Sequence, residues 1–285
     1  MPGTIKTRRA YLLGNPDKPS ATQALADLCA FAAARCEIAG SATALDGRLA
    51  VDAGADRLIV IGGDGTLIGV ARSLGAQQIP MIGVNVGKLG FLTEFSAEEL
   101  KADFDRAMSD AQLLSPRAIL HVAISSAGGA PATHLAVNDC VIQAGPPFRL
   151  VTLGVSINGD HLTEIGGDGL IVCTPGGSTG HNLSAGGPIM QPVVDAIVLT
   201  PLCPHSLTHK PLVIERQARI EIEACRANEG STLIIDGQVS APFRTGDRVT
   251  IRRFEADYLI VRNPQHADWH KLVTKLHWGR PPSYE

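Results

Sequence analysis

Apolar residues in the first part of the chain form short continuous runs that alternate with longer segments of helical spacing. Such runs predict buried strands, and apolar residues that recur at every third or fourth position predict helices. The predicted strands are 9–13, 57–61 and 79–84, and the predicted helices are 20–35, 66–74 and 96–108. Because strands that alternate with helices are typical of a parallel sheet covered on both faces, we expect an α/β domain over residues 1–115.

The pattern changes after Pro116 to a series of short β-rich runs. Asn158-Gly159 separates two apolar runs and predicts a tight hairpin turn. The predicted strands are 119–125, 135–143, 150–157, 170–174, 196–200, 218–223, 232–235, 249–252 and 258–261. These runs predict a second, mostly β domain over residues 116–262.

The C-terminal segment, residues 263–285, returns to helical spacing between His266 and Gly279. Its larger apolar residues are available for one face of a helix: Trp269, Leu272, Val273, Leu276 and Trp278. We therefore expect a helical tail that docks back on the body of the protein through this face.

The composition is that of an ordinary soluble globular protein, with 45% apolar residues, 19% charged residues and a mean hydropathy of +0.11. A net charge of −3 and a pI near 6.3 give no indication of a nucleic-acid or membrane partner. The six cysteines contain no CxxC pair, and no apolar run approaches the roughly 20 residues of a spanning helix. We therefore expect reduced thiols and a cytoplasmic location.

The stretch LIVIGGDGTLIGV, residues 58–70, places a glycine turn between a predicted strand and a predicted helix. Backbone N–H groups and the positive end of the helix dipole converge at such a turn, which favours phosphate binding. The glycine spacing matches neither the dinucleotide fingerprint nor the Walker loop. The stretch therefore indicates a phosphate-binding turn of another kind.

Asp64 lies within this turn, where an unpaired carboxylate would repel phosphate. A carboxylate at that position suits either of two tasks in phosphoryl transfer, which are binding a metal ion and accepting the proton of the attacking hydroxyl. An alternative is that Asp64 only caps the following helix through Thr66 and nearby amides. The turn alone leaves both interpretations open.

A second glycine-rich stretch, GGDGLIVCTPGGSTGHNLSAGG, spans residues 166–187. Its hydroxyl and amide donors suit a sugar or a diphosphate, although serine and threonine also occur in ordinary turns. Two such stretches in different domains favour a nucleotide-binding cleft at the domain junction.

Other charged and metal-ligating residues are less informative. Lys88 and Lys210 are candidates to neutralise phosphate charge or are simply solvated. The pairs His205/His209 and His266/His270 lack a third ligand of matching spacing, so no protein metal site is predicted.

With both stretches considered, the sequence resembles the NAD kinases over nearly its whole length. The resemblance rests on GGDGTL, GVNVGKLGFLTE (83–94), VNDCVI (137–142), residues 167–189, LTPLCPHSLTHKPLVI (199–214), IDGQ (235–238) and KLVTKLHWGR (271–280). It implies an α/β N-terminal domain with a Rossmann-like parallel sheet, a mostly β, β-sandwich-like C-terminal domain, and a homodimer or homotetramer. It also implies transfer of a phosphoryl group from ATP, or from polyphosphate, to the 2′-hydroxyl of the adenosine ribose of NAD, with a divalent cation such as Mg²⁺.

The resemblance implies a role for each matching site residue. Asp64 matches the proposed general base, and Gly65 matches the backbone beside NAD. Asn138 and Asp139 match a pair that holds the adenosine. The remaining residues match dinucleotide-binding positions: Arg149, Asp168, Thr179, Gly180, His181, Asn182, Leu183, Ser184 and Gln238.

The chain departs from the usual family pattern at several of these positions. Asp139 stands where glutamate is usual, His181 where tyrosine is usual, and Gly166 where a basic residue is frequent, while Gly176-Gly177 replaces a Thr-Gly pair. These changes shorten a carboxylate and exchange an aromatic stacking surface for a group that titrates near neutral pH. Two alternatives therefore stay open, which are an NAD(P)-binding sensor with weakened catalysis and a lipid kinase that shares the GGDGT turn.

Overall fold

The computed structural model describes residues 8–87, 90–126, 130–267 and 269–279. Within these ranges the chain forms two compact units. The first unit contains the residues up to 73, residues 79–115 and the residues from 259 onward. The second unit contains residues 74–78 and 116–258. The chain therefore leaves the first unit and returns to it near the C-terminus.

The first unit is built around a seven-stranded sheet. Its strands, numbered in chain order, are β1 Arg9–Gly14, β2 Glu37–Thr43, β3 Arg57–Gly62, β4 Met81–Asn85, β5 Phe95–Ser96, β6 Leu114–Arg117 and β19 Tyr258–Val261. The strand order is β2-β1-β3-β4-β19-β6, with β5 paired to β4, and the pairs from β2 to β19 are parallel. The predicted parallel sheet is confirmed, although β2 was missed because its residues are mostly half-exposed.

The first unit also contains helices. They are α1 Pro19–Ala33, α2 Arg48–Asp52, α3 Asp64–Leu74, α4 Ala97–Ala102, α5 Phe104–Ser109 and α7 His270–Leu276. Helix α1 shows how the pattern works, because Leu25 and Leu28 lie on one face and pack into the same core as Leu12 and Ile59 of the strands. Burial of this apolar face, rather than helix propensity, supplies most of the stability of such a helix.

The single helix predicted over 96–108 is wrong, because the chain breaks at Asp103 into α4 and α5. Asp103 has ψ of 22°, outside the helical region, and its carboxylate accepts a hydrogen bond from Gln265 Nε2 at 2.5 Å. Aspartate is a weak former of helix interiors and favours helix ends, and Asp103 is both the C-cap of α4 and the N-cap of α5. The predicted start is confirmed, since Ser96 and Glu99 form a capping box.

The second unit consists of two antiparallel six-stranded sheets. Its strands are β7 Leu120–Ser125, β8 Ala132–Ala136, β9 Asp139–Gln143, β10 Val151–Ile157, β11 Asp160–Gly167, β12 Gly169–Cys173, β13 Ala196–Leu202, β14 Leu212–Glu215, β15 Ile220–Arg226, β16 Thr232–Ile235, β17 Val239–Pro242 and β18 Arg248–Arg253, and it also contains the short helix α6 His181–Ser184. The strand orders are β11-β10-β15-β18-β7-β8 and β14-β13-β12-β9-β16-β17. Alternate residues of both sheets share one apolar core, which confirms the predicted sandwich-like architecture.

The predicted Asn158-Gly159 turn is confirmed. Both residues have positive φ, 56° and 90°, and the flanking residues Ile157 and Asp160 pair directly. Asparagine and glycine adopt this conformation at little cost, as a two-residue hairpin requires. The second strand of the hairpin is β11, which the apolar pattern had not shown because most of its residues are exposed or half-exposed.

Two predicted strands need correction. The run 135–143 is two strands, because the chain crosses at Val137-Asn138 from β8 in one sheet to β9 in the other. The run 258–261, predicted for the β domain over 116–262, is β19 and pairs with β4 in the sheet of the first unit. Its continuous apolar sequence is typical of a strand buried on both faces of a parallel sheet. The local sequence pattern does not reveal which sheet such a strand joins.

The C-terminal segment belongs to the first unit, and the predicted apolar face is only partly buried there, since Leu272 and Leu276 are half-buried. Lys271 Nζ donates to Phe91 O at 2.8 Å and pairs with Glu94 at 2.6 Å. Trp269 and Trp278 are 54% and 61% exposed. The tail therefore combines polar contacts of Lys271 with partial burial of two leucines. Among the described residues, every helix falls short of the length and apolar character that crossing a bilayer requires.

The first residue of β12, Gly169, occupies a position at which only glycine fits. Gly169 has φ of 155°, and an added Cβ would lie 2.0 Å from Ile142 O. We expect Gly169→Ala to lower the free energy of unfolding by about 1–3 kcal/mol, because the backbone of β9 would have to move. Gly166→Ala is the matched control, since open space surrounds that position. Urea unfolding of both variants checks this, and equal stability would contradict it.

Candidate functional site

The first part of the candidate site lies where strand β3 ends and helix α3 begins. All six residues of β3 are buried, and the helix starts at Asp64 immediately after Gly62-Gly63. Thr66 Oγ1 accepts hydrogen bonds from Gly63 N at 3.3 Å and from Asn15 Nδ2 at 2.7 Å, which ties the turn to the end of β1. The turn has the strand, glycine and helix arrangement that suits a phosphate.

An exposed cation lies beside this turn. A Cβ added to Gly63 would be 3.3 Å from Lys18 Nζ, so the ammonium group of Lys18 lies close to the glycine backbone. Sequence reasoning missed Lys18, because no motif surrounds it and only the fold brings residues 18 and 63 together. Lys88, the other candidate to neutralise phosphate charge, lies outside the described residues.

The carboxylate of Asp64 is held by a loop from another part of the first unit. Oδ2 accepts from Phe91 N at 2.6 Å, and Oδ1 accepts from Leu92 N at 3.0 Å and from Thr93 N at 3.1 Å. Capping of α3 explains none of these three bonds, because the donors lie 27, 28 and 29 residues away in the sequence. The bonds fix the position and orientation of the carboxylate.

Gly90 allows this approach. A Cβ at that position would lie 1.8 Å from Asp64 Oδ1, so any other residue would displace the carboxylate or the loop. The loop is closed by Thr93, whose hydroxyl accepts from Gly90 N at 2.7 Å. The GVNVGKLGFLTE motif had been noted in the sequence, but its role as the cradle of Asp64 is visible only in the structure.

The second part of the candidate site is a cavity of about 300 Å³ within the second unit. Of the predicted binding residues, Asn138, Asp139 and His181 line it. The other lining residues are Val141, Ile234, Asp236 and Gly237. The structure therefore brings together residues from the crossing between the two sheets, from helix α6 and from the turn after β16.

Asp236 holds the crossing in place. Its carboxylate accepts from the backbone N–H groups of Val137, Asn138 and Asp139 at 3.0, 2.7 and 3.1 Å. Asp236 and Gly237 both have positive φ, 50° and 65°, so they also form the turn between β16 and β17. Asp236 is therefore both a turn residue and the residue that organises the cavity wall.

Two polar groups in this wall are suited to a ligand. Asn138 Oδ1 is buried and has no hydrogen-bond partner among the residues that the structure describes. Asp139 is 6% exposed, and its burial together with the nearby Asp236 carboxylate raises the pKa of Asp139 to about 7. Because buried polar groups are nearly always paired, a donor on a bound molecule is expected at Asn138.

The glycine-rich turn 176–179 packs directly against this wall. A Cβ at Gly177 would lie 2.3 Å from Asn138 O, and Thr174 Oγ1 donates to Val137 O at 2.8 Å. Asn182 is fully buried, and its amide bonds with Ser178 O, Pro188 O and Thr200 Oγ1. The Asn182 side chain therefore holds the turn together, whereas His181 next to it is exposed and faces the cavity.

The remaining predicted residues occupy other positions around the second unit. Thr179 and Leu183 are half-buried, and Gly180, Ser184, Arg149, Asp168 and Gln238 are exposed. Asp168 lies beside Cys203, and its carboxylate raises the pKa of that thiol. Gly65, in the first unit, is exposed in the first turn of α3.

Within the described residues, no group of three or more His, Cys, Asp or Glu side chains is arranged to hold a metal ion. His266 and His270 stack on each other at 4.4 Å, and His266 pairs with Glu99. A Mg²⁺ ion that accompanies ATP is usually held through one or two carboxylates, water and the phosphates themselves, rather than by a protein cage.

Comparison with known proteins agrees with this architecture. Residues 17–111 match the ATP-NAD kinase N-terminal domain, and residues 137–263 match the ATP-NAD kinase C-terminal domain. The NAD kinase of Geotalea daltonii is 41% identical over 225 residues, 79% of each chain, and that of Magnetococcus marinus is 38% identical over 226 residues, 79% of this chain and 75% of its own length.

Two solved structures share the fold. An NAD kinase from Archaeoglobus fulgidus in complex with ATP has a TM-score of 0.71 at 26% identity and covers 90% of this chain and 94% of its own. Yeast NADH kinase complexed with NADH has a TM-score of 0.85 at 24% identity and covers 98% of this chain and 90% of its own, a likeness of fold. With both domains and close relatives matched, the chain belongs to the NAD kinase family of phosphotransferases.

Proposed function

We propose that this protein transfers the terminal phosphoryl group of ATP to the 2′-hydroxyl of the adenosine ribose of NAD, forming NADP. The observation that carries the proposal is the carboxylate of Asp64, held by three backbone N–H groups at the end of a glycine turn. Family membership supplies the reaction class, and this geometry supplies a residue able to act in it.

Asp64 is the proposed general base. A carboxylate has about four lone-pair positions, so three N–H bonds leave room to accept the proton of the ribose hydroxyl. Because the carboxylate is held rigidly, it does not need to reorient when the hydroxyl attacks the phosphorus atom. The proton moves to Asp64 as the new O–P bond forms and ADP leaves.

The glycine turn is the proposed site for the phosphates of ATP. The N-terminus of α3, an 11-residue helix, presents partial positive charge, and the ammonium group of Lys18 lies beside Gly63. Both features offset phosphate charge close to Asp64. A Mg²⁺ ion bound through the phosphates would neutralise further charge as the terminal group is transferred.

The cavity lined by Asn138, Asp139 and His181 is the proposed site for the adenosine part of NAD. Asn138 Oδ1 is an unsatisfied acceptor that the exocyclic amino group of adenine would complete. Asp139 can donate a hydrogen bond when protonated and accept one from a ribose hydroxyl when ionised. His181 provides a smaller stacking surface than tyrosine would.

On the strength of the resemblance, the other matching residues remain proposed dinucleotide contacts: Arg149, Asp168, Thr179, Gly180, Leu183, Ser184, Gln238 and Gly65.

A second candidate function, binding of NAD(P) without catalysis, is favoured by the departures at Asp139, His181 and Gly166. An assay that offers NAD and NADH with ATP and with polyphosphate separates the two. NADP or NADPH formation above the rate without enzyme excludes the sensor, and its absence despite calorimetric NAD binding supports the sensor.

Asp64→Asn should lower kcat by roughly 10²–10⁴-fold while the Kd for NAD changes little, because asparagine cannot accept the hydroxyl proton. The measurements are a coupled assay of NADP formation under saturating Mg-ATP and calorimetry with NAD. Asp52→Asn, the same chemical change at an exposed position of the first unit, is the control. Undiminished kcat in the Asp64 variant would remove the proposed role.

Asp139 predicts a pH dependence of stability. Its pKa is raised from 3.8 to about 7 on folding, so its contribution is fully present below pH 3.8 and is lost as the pH rises through about 7. We expect Asp139→Asn, which cannot ionise, to gain about 2–3 kcal/mol relative to the parent protein between pH 5 and pH 8.

Urea unfolding at the two pH values measures this gain. Asp160→Asn, at an exposed position of β11, is the control and should show the same difference from the parent protein at both pH values. An Asp139 variant that behaves like the Asp160 control would show that the buried carboxyl is already ionised at pH 5.

A further inference from the structure

The C-terminal segment is attached to the first unit by a series of polar contacts. They are Asn263 Nδ2 to Glu94 O at 3.1 Å, Gln265 Nε2 to Asp103 Oδ2 at 2.5 Å, His266 Nε2 to Glu99 Oε1 at 3.1 Å, and Lys271 Nζ to both Phe91 O and Glu94 Oε1. Lys275 Nζ also lies 4.7 Å from the centre of the Phe91 ring. All these contacts fall on residues 91–103, the stretch that begins with the donors to Asp64.

Lys271 and Glu94 form the most buried ion pair among these contacts. Their side chains are 14% and 8% exposed, and their charged atoms are 2.6 Å apart. A buried ion pair gains little net stability, because desolvation of both charges offsets their attraction. Its contribution is therefore expected in the placement of the groups that it touches, rather than in the free energy of unfolding.

One of those groups is the peptide between Phe91 and Leu92. Its carbonyl oxygen accepts from Lys271 Nζ at 2.8 Å, and its N–H, at Leu92, donates to Asp64 Oδ1 at 3.0 Å. A cation at the oxygen end of an amide withdraws electrons from it and strengthens its N–H as a donor. Phe91 N also donates to Asp64, at 2.6 Å. Lys271 therefore binds the carbonyl of the same residue whose N–H group contacts Asp64.

We infer that Lys271 is a positioning residue for Asp64 and acts through the Phe91–Leu92 peptide. The inference rests on the proposed role of Asp64 as general base. The ammonium group contacts Phe91 O and Glu94 Oε1. It fixes the loop that orients the carboxylate and strengthens one of its donors, so the C-terminal tail takes part in the reaction from outside the binding regions. KLVTKLHWGR, the last motif of the resemblance, thereby acquires a physical role.

The test uses the full-length protein with Lys271→Met, which preserves most of the length of the side chain and removes the charge. We expect kcat to fall by about 10- to 100-fold with the KM for NAD little changed, because misplacement of a reacting group affects the chemical step. Lys271→Arg should recover most of kcat, since a guanidinium can still donate to Phe91 O. Lys101→Met, which removes a lysine paired with Glu98 on α4, is the control.

Lys271→Met leaves Glu94 buried without its cation, and this variant can fail to fold. Lys271→Met with Glu94→Gln removes both charges and keeps the volume. Thermal unfolding and circular dichroism establish that it is folded, and it should show the same loss of kcat. A folded double variant with the parental kcat would overturn the inference.

A double-mutant cycle with Asp64→Asn separates positioning from general loss of structure. If Lys271 acts through Asp64, then Lys271→Met should change kcat by less than about twofold in the Asp64→Asn background. Fully multiplicative losses would contradict the inference while leaving the role of Asp64 intact. Parental kcat in Asp64→Asn alone would instead refute the proposed function, so the two failures are distinguishable.

Discussion

Each part of the candidate site depends on one carboxylate that accepts three consecutive backbone N–H groups. Asp64 binds residues 91–93 in the first unit, and Asp236 binds residues 137–139 in the second. A charged acceptor shared among several amides forms stronger hydrogen bonds than a neutral one. It also holds an irregular segment in one conformation without regular secondary structure. In the second unit the segment so held carries Asn138 and Asp139, whereas in the first unit the carboxylate itself is the group proposed to act on the substrate.

Close backbone approach is the condition for both arrangements. Gly90 leaves room for the carboxylate of Asp64, and Gly177 leaves room for the carbonyl of Asn138. In each case the glycine is required by the space its neighbour occupies, since neither residue has positive φ. The Gly176-Gly177 departure from the family pattern therefore retains glycine at the position where the packing demands it, and varies at Gly176, where an added Cβ would meet nothing closer than 3.4 Å.

The two parts of the candidate site differ in the partners of their buried carboxyl groups. In the first unit, the carboxylate of Glu94 is neutralised by Lys271 and placed next to the loop that holds Asp64. In the second unit, Asp139 lies near Asp236, and the pKa of Asp139 rises accordingly. The first arrangement maintains fixed charges, as phosphoryl transfer requires. The second gives the cavity a carboxyl group that changes between donor and acceptor near neutral pH.

The sequence by itself determined the α/β and sandwich-like architectures, the Asn158-Gly159 turn, the family, and the prediction that Asp64, Asn138, Asp139 and His181 are site residues. These features follow from local patterns of apolar residues, turn residues and motif spacing. The roles of the individual residues stay predictions. The structure places three of them around one cavity and Asp64 in a cradle of amides.

Only the tertiary structure decided which partners the elements meet. It assigned β19 to the sheet of the first unit, divided the run 135–143 between two sheets, broke the helix at Asp103 and joined Lys271 to the loop that holds Asp64. Apolar periodicity reports whether a residue is buried, but not against what, since many partners offer the same apolar environment. Contacts between residues as distant as 91 and 271 leave no local pattern, because they depend on how the whole chain packs.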